Sequence, residues 1–113
     1  MLGLPSPAQT PRRAYSVASA SYEDHLEFLS IKVQDGALTT ALQCLQPGDP
    51  VVVGNKPTGT LVLSDLRPGR VLYLLATGTG LAPFLSLVRA PETYDAFEKI
   101  VLVHGTRDRK SVV

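Results

Sequence analysis

Cysteine is nearly absent from the sequence, since Cys44 is the only one among 113 residues. No disulfide can therefore form within the chain, and we expect a cytoplasmic protein. Long apolar runs are also missing. The run from Val71 to Ala76 is far shorter than the ~20 apolar residues that a helix needs to cross a bilayer. The first four residues lack the basic head and long apolar stretch of a secretory signal.

Neither sign of charge is in excess, with 11 Lys and Arg against 10 Asp and Glu and a formal net charge of +1. Nucleic acid and membrane surfaces attract strongly basic proteins, so neither is expected as a partner. The hydrophobic fraction of 44% is ordinary for a globular protein. At this length the chain suits one domain or incomplete parts of two.

Short strands and turns fill the first part of the chain. The Asp35-Gly36 pair is a strong turn signal, and Pro47-Gly48-Asp49-Pro50 ends a short segment with apolar residues at helical spacing. The alternating and apolar patterns predict strands and one helix. The strands are Ala14 to Ala18, Leu26 to Val33, Val51 to Val53 and Thr60 to Leu63, and the helix is Leu38 to Leu45.

The pattern changes after Arg67-Pro68-Gly69, where we place a domain boundary. Val71 to Ala76 is apolar on both faces, as expected for a parallel strand that is covered on each side. A strand, two helices and a second parallel strand form a right-handed crossover unit. The predicted helices are Ala82 to Arg89 and Glu92 to Glu98, and the second strand is Ile100 to Val103.

The glycine-rich segment Thr77-Gly78-Thr79-Gly80 lies where the first buried strand meets its helix. Free backbone N–H groups and the positive end of the helix dipole favour an anion there. The two glycines permit a tight turn and the close approach of a diphosphate. Pro83 stands at the third position and departs from the G-x-G-x-x-G pattern. The alternative is a plain glycine turn in an α/β unit.

Arg107 follows the second buried strand, beside the edge where such folds bind ligands. A guanidinium at this place can bind the 2′-phosphate that distinguishes NADP from NAD, although a solvated loop arginine fits equally well. His104 fits a capping or packing residue better than a catalytic one.

The segment Arg13-Ala14-Tyr15-Ser16 offers three kinds of contact to a bound group. The guanidinium can bind a diphosphate, the tyrosine ring can stack, and the serine hydroxyl can form a hydrogen bond. In an extended chain, Arg13 and Tyr15 point one way and Ala14 and Ser16 the other. Taken alone, these four residues fit an edge strand at least as well.

Four segments occur together in one order, and two further segments accompany them. The four are Arg13 to Ser19, Leu26 to Val33, Gly36 to Thr40 and Gly78 to Phe84, and the further two are Lys56 to Leu61 and Val103 to Arg107. This set closely resembles the bacterial-type ferredoxin–NADP reductases of the plant-like flavoprotein superfamily. The resemblance runs from Met1 to about Arg107. It implies an FAD-dependent, NADP-linked oxidoreductase.

The fold that the resemblance implies is β followed by α/β. Residues 1–68 would form part of an antiparallel FAD-binding β-barrel, and residues 69–113 would begin a parallel-sheet NADP-binding domain with its first crossover unit. Family members begin earlier and continue well past Arg107. We therefore expect a chain truncated at both ends, with a full-length form that is monomeric.

The resemblance also assigns residues to the two cofactors. Tyr15 would stack on the flavin ring and Ser16 would lie near its N5 atom, so these two are the candidate catalytic residues, and no metal is expected. The expected FAD-binding residues are Arg13, Ala14, Tyr15, Ser16, Ile31, Lys32, Val33, Leu38, Thr39 and Thr40. The expected NADP-binding residues are Thr77, Gly78, Thr79, Gly80, Leu81, Ala82, Pro83 and Arg107.

The implied reaction transfers a hydride from NADPH to FAD, from which electrons pass singly to ferredoxin or flavodoxin. Two alternatives remain. One is the reductase component of an oxygenase or another NAD(P)H:flavin reductase, and the other is a non-catalytic flavin-binding module. Since half of the family's length is missing, we expect the chain alone to be unstable and nearly inactive.

The last six residues, Asp108 to Val113, depart from the family pattern. We interpret this hexapeptide as the translation of a common sequencing adapter that runs into a stop codon. A genuine frayed terminus is the alternative.

Overall fold

The computed structural model describes residues 1–5 and 11–107. The interpretation of residues 108–113 as adapter sequence therefore lies outside the described residues. The contacts divide the chain into two compact units. The first comprises the described residues of Met1–Tyr15 and Ser30–Thr58, and the second those of Ser16–Leu29 and of the chain from Gly59 onwards.

The sheet of the first unit is built around Leu2, which is paired on both sides. Strand β1 (Leu2–Gly3) pairs antiparallel with β2 (Val52–Val53), with Leu2 opposite Val53. On its other side, the Leu2 amide donates to the Arg13 carbonyl at 2.7 Å, and the Arg13 amide donates back at 3.0 Å. Three antiparallel segments therefore meet at a buried leucine, as a partial barrel requires.

The one helix of the first unit, α1 (Thr39–Leu42), is shorter than the predicted Leu38 to Leu45. Two hydrogen bonds between Gln46 and Asp49 form a turn where the predicted helix ends. The Asp49 carboxylate accepts from the Gln46 amide at 2.9 Å, and the Asp49 amide donates to the Gln46 carbonyl at 3.0 Å. The predicted turn at Asp35-Gly36 is confirmed, since Asp35 has a φ of 57°.

Three of the predicted strands do not form in the described residues. Ala14 to Ala18 and Leu26 to Val33 contain only an isolated bridge between Val17 and Phe28. The alternating pattern is present, but a strand also needs a partner along its whole length. At Thr60 to Leu63 the strand prediction is wrong, because a 3-10 turn spans Leu63–Asp65. This turn directs two leucines, three residues apart, onto the apolar core of the second unit.

The second unit contains the predicted crossover. Strand β3 (Val71–Thr77) pairs in parallel with β4 (Lys99–Gly105), and Leu74 lies opposite Leu102. Helices α2 (Leu81–Arg89) and α3 (Pro91–Ala96) connect the two strands. Each of these four elements begins and ends within two residues of its predicted bounds. The β + α/β fold class predicted from the sequence is thereby confirmed.

The break between α2 and α3 follows from Pro91. Steric conflict with the proline ring keeps the preceding Ala90 in an extended conformation, with φ −83° and ψ 123°. Two side chains of α3 then satisfy the last carbonyls of α2. The hydroxyl of the fully buried Thr93 donates to the Leu87 carbonyl at 2.7 Å, and that of Tyr94 donates to the Val88 carbonyl at 2.6 Å.

The core of the second unit lies on one face of the β3–β4 sheet. Leu72 and Leu74 pack there against Leu87 and Phe97. The expectation that β3 is covered on both faces is wrong for the described residues, since Leu75 is 69% exposed on the opposite face. None of the helices in the described part of the chain is long and apolar enough to cross a membrane.

Candidate functional site

The predicted phosphate loop is a single 3-10 turn, Gly78–Gly80, that runs directly into helix α2. Gly78 has a φ of +53°, a left-handed conformation that side chains disfavour. Gly80 instead has φ −59° and ψ −13°, which any residue adopts. A Cβ built at either glycine would meet nothing within 4 Å. The backbone of this turn is therefore open to close approach by a ligand.

The turn also has the electrostatics of an anion site. It precedes a nine-residue helix, whose N-terminal amides and dipole favour negative charge. Pro83 lies in the first turn of this helix, where its missing N–H would have had no intrahelical acceptor. Ala82 is buried beside it, so the helix begins close against the sheet. The departure from the glycine pattern is thus compatible with both the helix and the turn.

His104 fixes the turn from strand β4. Its Nε2 lies 3.1 Å from the carbonyl oxygen of Gly78, so Nε2 carries the hydrogen and the carbonyl accepts it. His104 is also the register partner of Ala76, the penultimate residue of β3. This contact is compatible with the capping or packing role that the sequence favours, but its target, 26 residues away, was not predicted. Arg107 lies two residues beyond β4 and is exposed.

The candidate flavin segment begins on the three-stranded part of the first unit. Arg13 is held there through its backbone, and its side chain is exposed. The Tyr15 hydroxyl lies 3.1 Å from the Ser30 hydroxyl. This hydrogen bond links the candidate flavin segment to the part of the chain that begins at Ser30, after the hairpin 16–29. This bond restricts the orientation of the Tyr15 ring. Ala14 and Ser16 are exposed.

A tight turn brings the next group of predicted residues together. The Val33 carbonyl accepts from the Gly36 amide at 3.1 Å and from the Thr39 hydroxyl at 3.4 Å. Gly36 is required here, since a Cβ would collide with that hydroxyl. Thr40, Ile31 and Lys32 are exposed around this turn.

Leu38 lies in the same turn, but it is only 2% exposed. Its side chain therefore belongs to the protein core. A contribution of Leu38 to cofactor binding would come from its backbone.

The predicted residues fall into the two compact units. Arg13 to Tyr15 and residues 31–33 and 38–40 belong to the first, whereas Ser16, residues 77–83 and Arg107 belong to the second. Within the described residues, no group of three or more His, Cys, Asp and Glu side chains could hold a metal ion.

Comparison with known proteins identifies close relatives. The chain is 61% identical over 107 residues to a ferredoxin–NADP reductase of Azotobacter vinelandii and 60% identical over 107 residues to one of Pseudomonas aeruginosa. Each match covers 95% of this chain and 42% of the relative. The chain thus spans about two fifths of the length of these curated relatives. No protein-family model matches it.

Among solved structures, the chain is similar to a ferredoxin–NADP+ reductase of Neisseria gonorrhoeae that was crystallised with FAD and NADP. The TM-score is 0.90 at 34% identity, over 98% of this chain and 45% of the other. Sequence and fold agree with the resemblance that the ordered motifs predicted. The chain thus matches, in sequence and in fold, about two fifths of a ferredoxin–NADP reductase.

Proposed function

We propose that the chain is part of an FAD-dependent enzyme that transfers electrons between NADPH and ferredoxin or flavodoxin. The observation that carries this proposal is the 61% identity to the Azotobacter vinelandii reductase over nearly the whole chain. The proposed domain division is a partial FAD-binding barrel over residues 1–68 and the start of an NADP-binding domain over residues 69–113.

The residues at the head of α2 fit a dinucleotide diphosphate. The space over Gly78 and Gly80 is open, and the amides of the turn and of the first helical turn supply donors. The carbonyl of Gly78 is bound to His104, which keeps an acceptor from turning toward an anion. Arg107 would bind the 2′-phosphate of NADP. Thr77, Thr79, Leu81, Ala82 and Pro83 complete the proposed NADP-binding segment.

The first unit offers a matching set for FAD. The exposed Arg13 guanidinium can neutralise a diphosphate in bidentate geometry. Tyr15, with its hydroxyl restrained by Ser30, offers a ring face for stacking on a flavin. Thr39 opens α1 as the resemblance implied. The other proposed contacts of this unit are Ala14, Ile31, Lys32, Val33, Leu38 and Thr40. Ser16, which follows Tyr15 in the chain, is proposed as a further contact.

Bound together, the two cofactors supply hydride transfer and its division into single-electron steps. The protein's part is to orient and to stabilise charge. Tyr15 would hold the flavin ring in place, and the Ser16 hydroxyl would donate a hydrogen bond near the reacting atom. Holding the reacting groups in a fixed orientation would lower the entropic part of the barrier.

A graft tests this proposal directly. The 107 matched residues of the Azotobacter vinelandii reductase are replaced with those of this chain, and reduction of ferredoxin and of an artificial dye is followed with NADPH and with NADH. We expect bound flavin and NADPH-dependent reduction of both acceptors. The 113-residue chain alone is expected to sustain little or no turnover.

Other results of the graft would point elsewhere. Preference for NADH would favour the reductase component of an oxygenase or another flavin reductase. Flavin absorbance without oxidation of NADPH would favour a non-catalytic flavin-binding module. A folded graft that binds no flavin would contradict the proposal.

Substitutions at Tyr15 and Ser16 should separate flavin binding from hydride transfer in the graft. Tyr15→Ala removes the stacking face and should weaken FAD binding about tenfold. Ser16→Ala should leave FAD binding unchanged and slow flavin reduction on the order of a hundredfold. Flavin fluorescence measures the first effect, and stopped-flow absorbance measures the second.

The adjacent exposed residues Ser21 and Tyr22 provide the matched control. Ser21→Ala and Tyr22→Ala remove the same groups from a surface turn, so both rates and affinities should stay at their original values. Equal and negligible effects at Tyr15 and Ser16 would refute the flavin assignment.

A further inference from the structure

Residues Ser16 to Leu29 form a hairpin that belongs to the second compact unit. Val17 bridges Phe28, and the Ala18 amide donates to the Glu27 carbonyl at 2.8 Å. The Glu27 amide donates in turn to the Ser19 hydroxyl at 3.1 Å. Ala18 and Ser19 are buried. Polar contacts to helix α2 contribute to the placement of the hairpin.

One arginine supplies these contacts. Arg89, the last residue of α2, donates from Nη1 to the Ala18 carbonyl at 3.3 Å and to the Glu27 carboxylate. The same nitrogen lies 3.7 Å from the Glu23 carboxylate, which also accepts from the Ala20 amide. A single guanidinium thus joins both arms of the hairpin to the C-terminal end of the helix.

The charges around Arg89 shift the pKa values of three groups toward their ionised forms. The hydrogen bond from Arg89 lowers the pKa of the Glu27 carboxylate, with a smaller contribution from His25. The Glu27 carboxylate raises the pKa of Arg89. Hydrogen bonds to Asp24 first and to Glu27 second raise the pKa of His25.

A second arginine–glutamate pair in the same unit has a different character. Arg70 Nε lies 3.1 Å from the Glu98 carboxylate, but these side chains are 84% and 68% exposed. The side chains of Arg89 and of its hydrogen-bond partner Glu27 are 35% and 43% exposed, and that of Glu23 is 20% exposed. An exposed ion pair such as Arg70–Glu98 contributes little to stability because water screens it. Arg89, by contrast, also donates a hydrogen bond to the backbone carbonyl of Ala18.

We propose that Arg89 is a positioning residue that holds the Ser16–Leu29 hairpin against α2, and thereby places Ser16 relative to the Gly78–Gly80 turn at the other end of that helix. The anchored Ala18 carbonyl is two residues from Ser16, and α2 follows the turn without interruption. The functional meaning of this placement rests on the proposed function, whereas the contact itself does not.

Hydrogen exchange in the graft tests the contact independently of catalysis. Arg89→Ala should increase the exchange rates of the Ala18 and Glu27 amides about fivefold relative to those of β3 and β4. Arg89→Lys, which keeps a charged donor, should recover part of this protection. Arg70→Ala is the matched control and should leave the same ratio unchanged. Unaltered ratios in Arg89→Ala, or unprotected hairpin amides in the unsubstituted graft, would overturn the proposal.

Kinetics of the graft test the consequence for catalysis. Arg89→Ala should lower kcat per bound flavin on the order of tenfold while KM for NADPH stays the same, because Arg89 lies at the far end of α2 from the turn. A role in stability alone would reduce the amount of holoenzyme and not kcat per flavin. An unchanged kcat in an active graft overturns the positioning role, whereas a graft without NADPH oxidation counts against the proposed function instead.

Discussion

Gly80→Ala should raise KM for NADPH in the grafted reductase about ten- to a hundredfold while leaving thermal stability intact. Gly80 has an α-helical backbone conformation, and an added Cβ would meet no protein atom within 4 Å. The methyl group is therefore harmless to the folded chain. It projects into the open space where we place the diphosphate, so it should hinder only the bound dinucleotide. Steady-state kinetics and thermal unfolding measure the two effects.

Two other glycines provide controls for this result. Gly69 lies in a surface loop with nothing within 4 Å of an added Cβ, so Gly69→Ala should change neither KM nor stability. Gly78 has a φ of +53°, and Gly78→Ala should lower stability by about 1–2 kcal/mol as well as weaken binding. If Gly80→Ala binds NADPH as tightly as the original graft, the turn does not hold the diphosphate.

The sequence predicted the crossover unit well because its signals are local. An apolar run, a glycine turn and prolines at Pro83 and Pro91 determine where β3, α2 and α3 begin and end. The handedness and parallel pairing then follow from general rules of chain connection. The bare face of the sheet was not predicted. The apolar pattern of β3 shows that both of its faces can be buried. It does not show whether other residues of this chain cover both faces.

The barrel part was predicted less well because its strands depend on distant partners. Leu26 to Val33 has the alternation of a strand, yet only Phe28 is bridged. The contacts that organise the candidate site are also non-local. Arg89 reaches Glu27 across 62 positions and His104 reaches Gly78 across 26. No local sequence pattern predicts either contact. The positions of the proposed cofactor-binding residues came from the family resemblance.

Two adjacent leucines on β3 should differ sharply in their contribution to stability. Leu74 is 4% exposed and packs in the core of the second unit, whereas Leu75 is 69% exposed on the opposite face. Leu74→Ala should lower the free energy of unfolding of the 113-residue chain by about 2–5 kcal/mol. Because we expect the chain alone to be much less stable than a typical domain, this loss should unfold most of its molecules.

Leu75→Ala is the matched control, since it removes the same atoms from the next residue of the same strand. It should change the free energy of unfolding by no more than about 0.5 kcal/mol, because those atoms are already in water. Urea unfolding followed by circular dichroism measures both variants. Comparable losses at the two positions would show that both faces of the sheet are covered in solution, for example by association of chains through Tyr73 and Leu75. The expected order, with Leu74 dominant, follows from a sheet whose described residues bury Leu74 on one face and leave Leu75 exposed on the other.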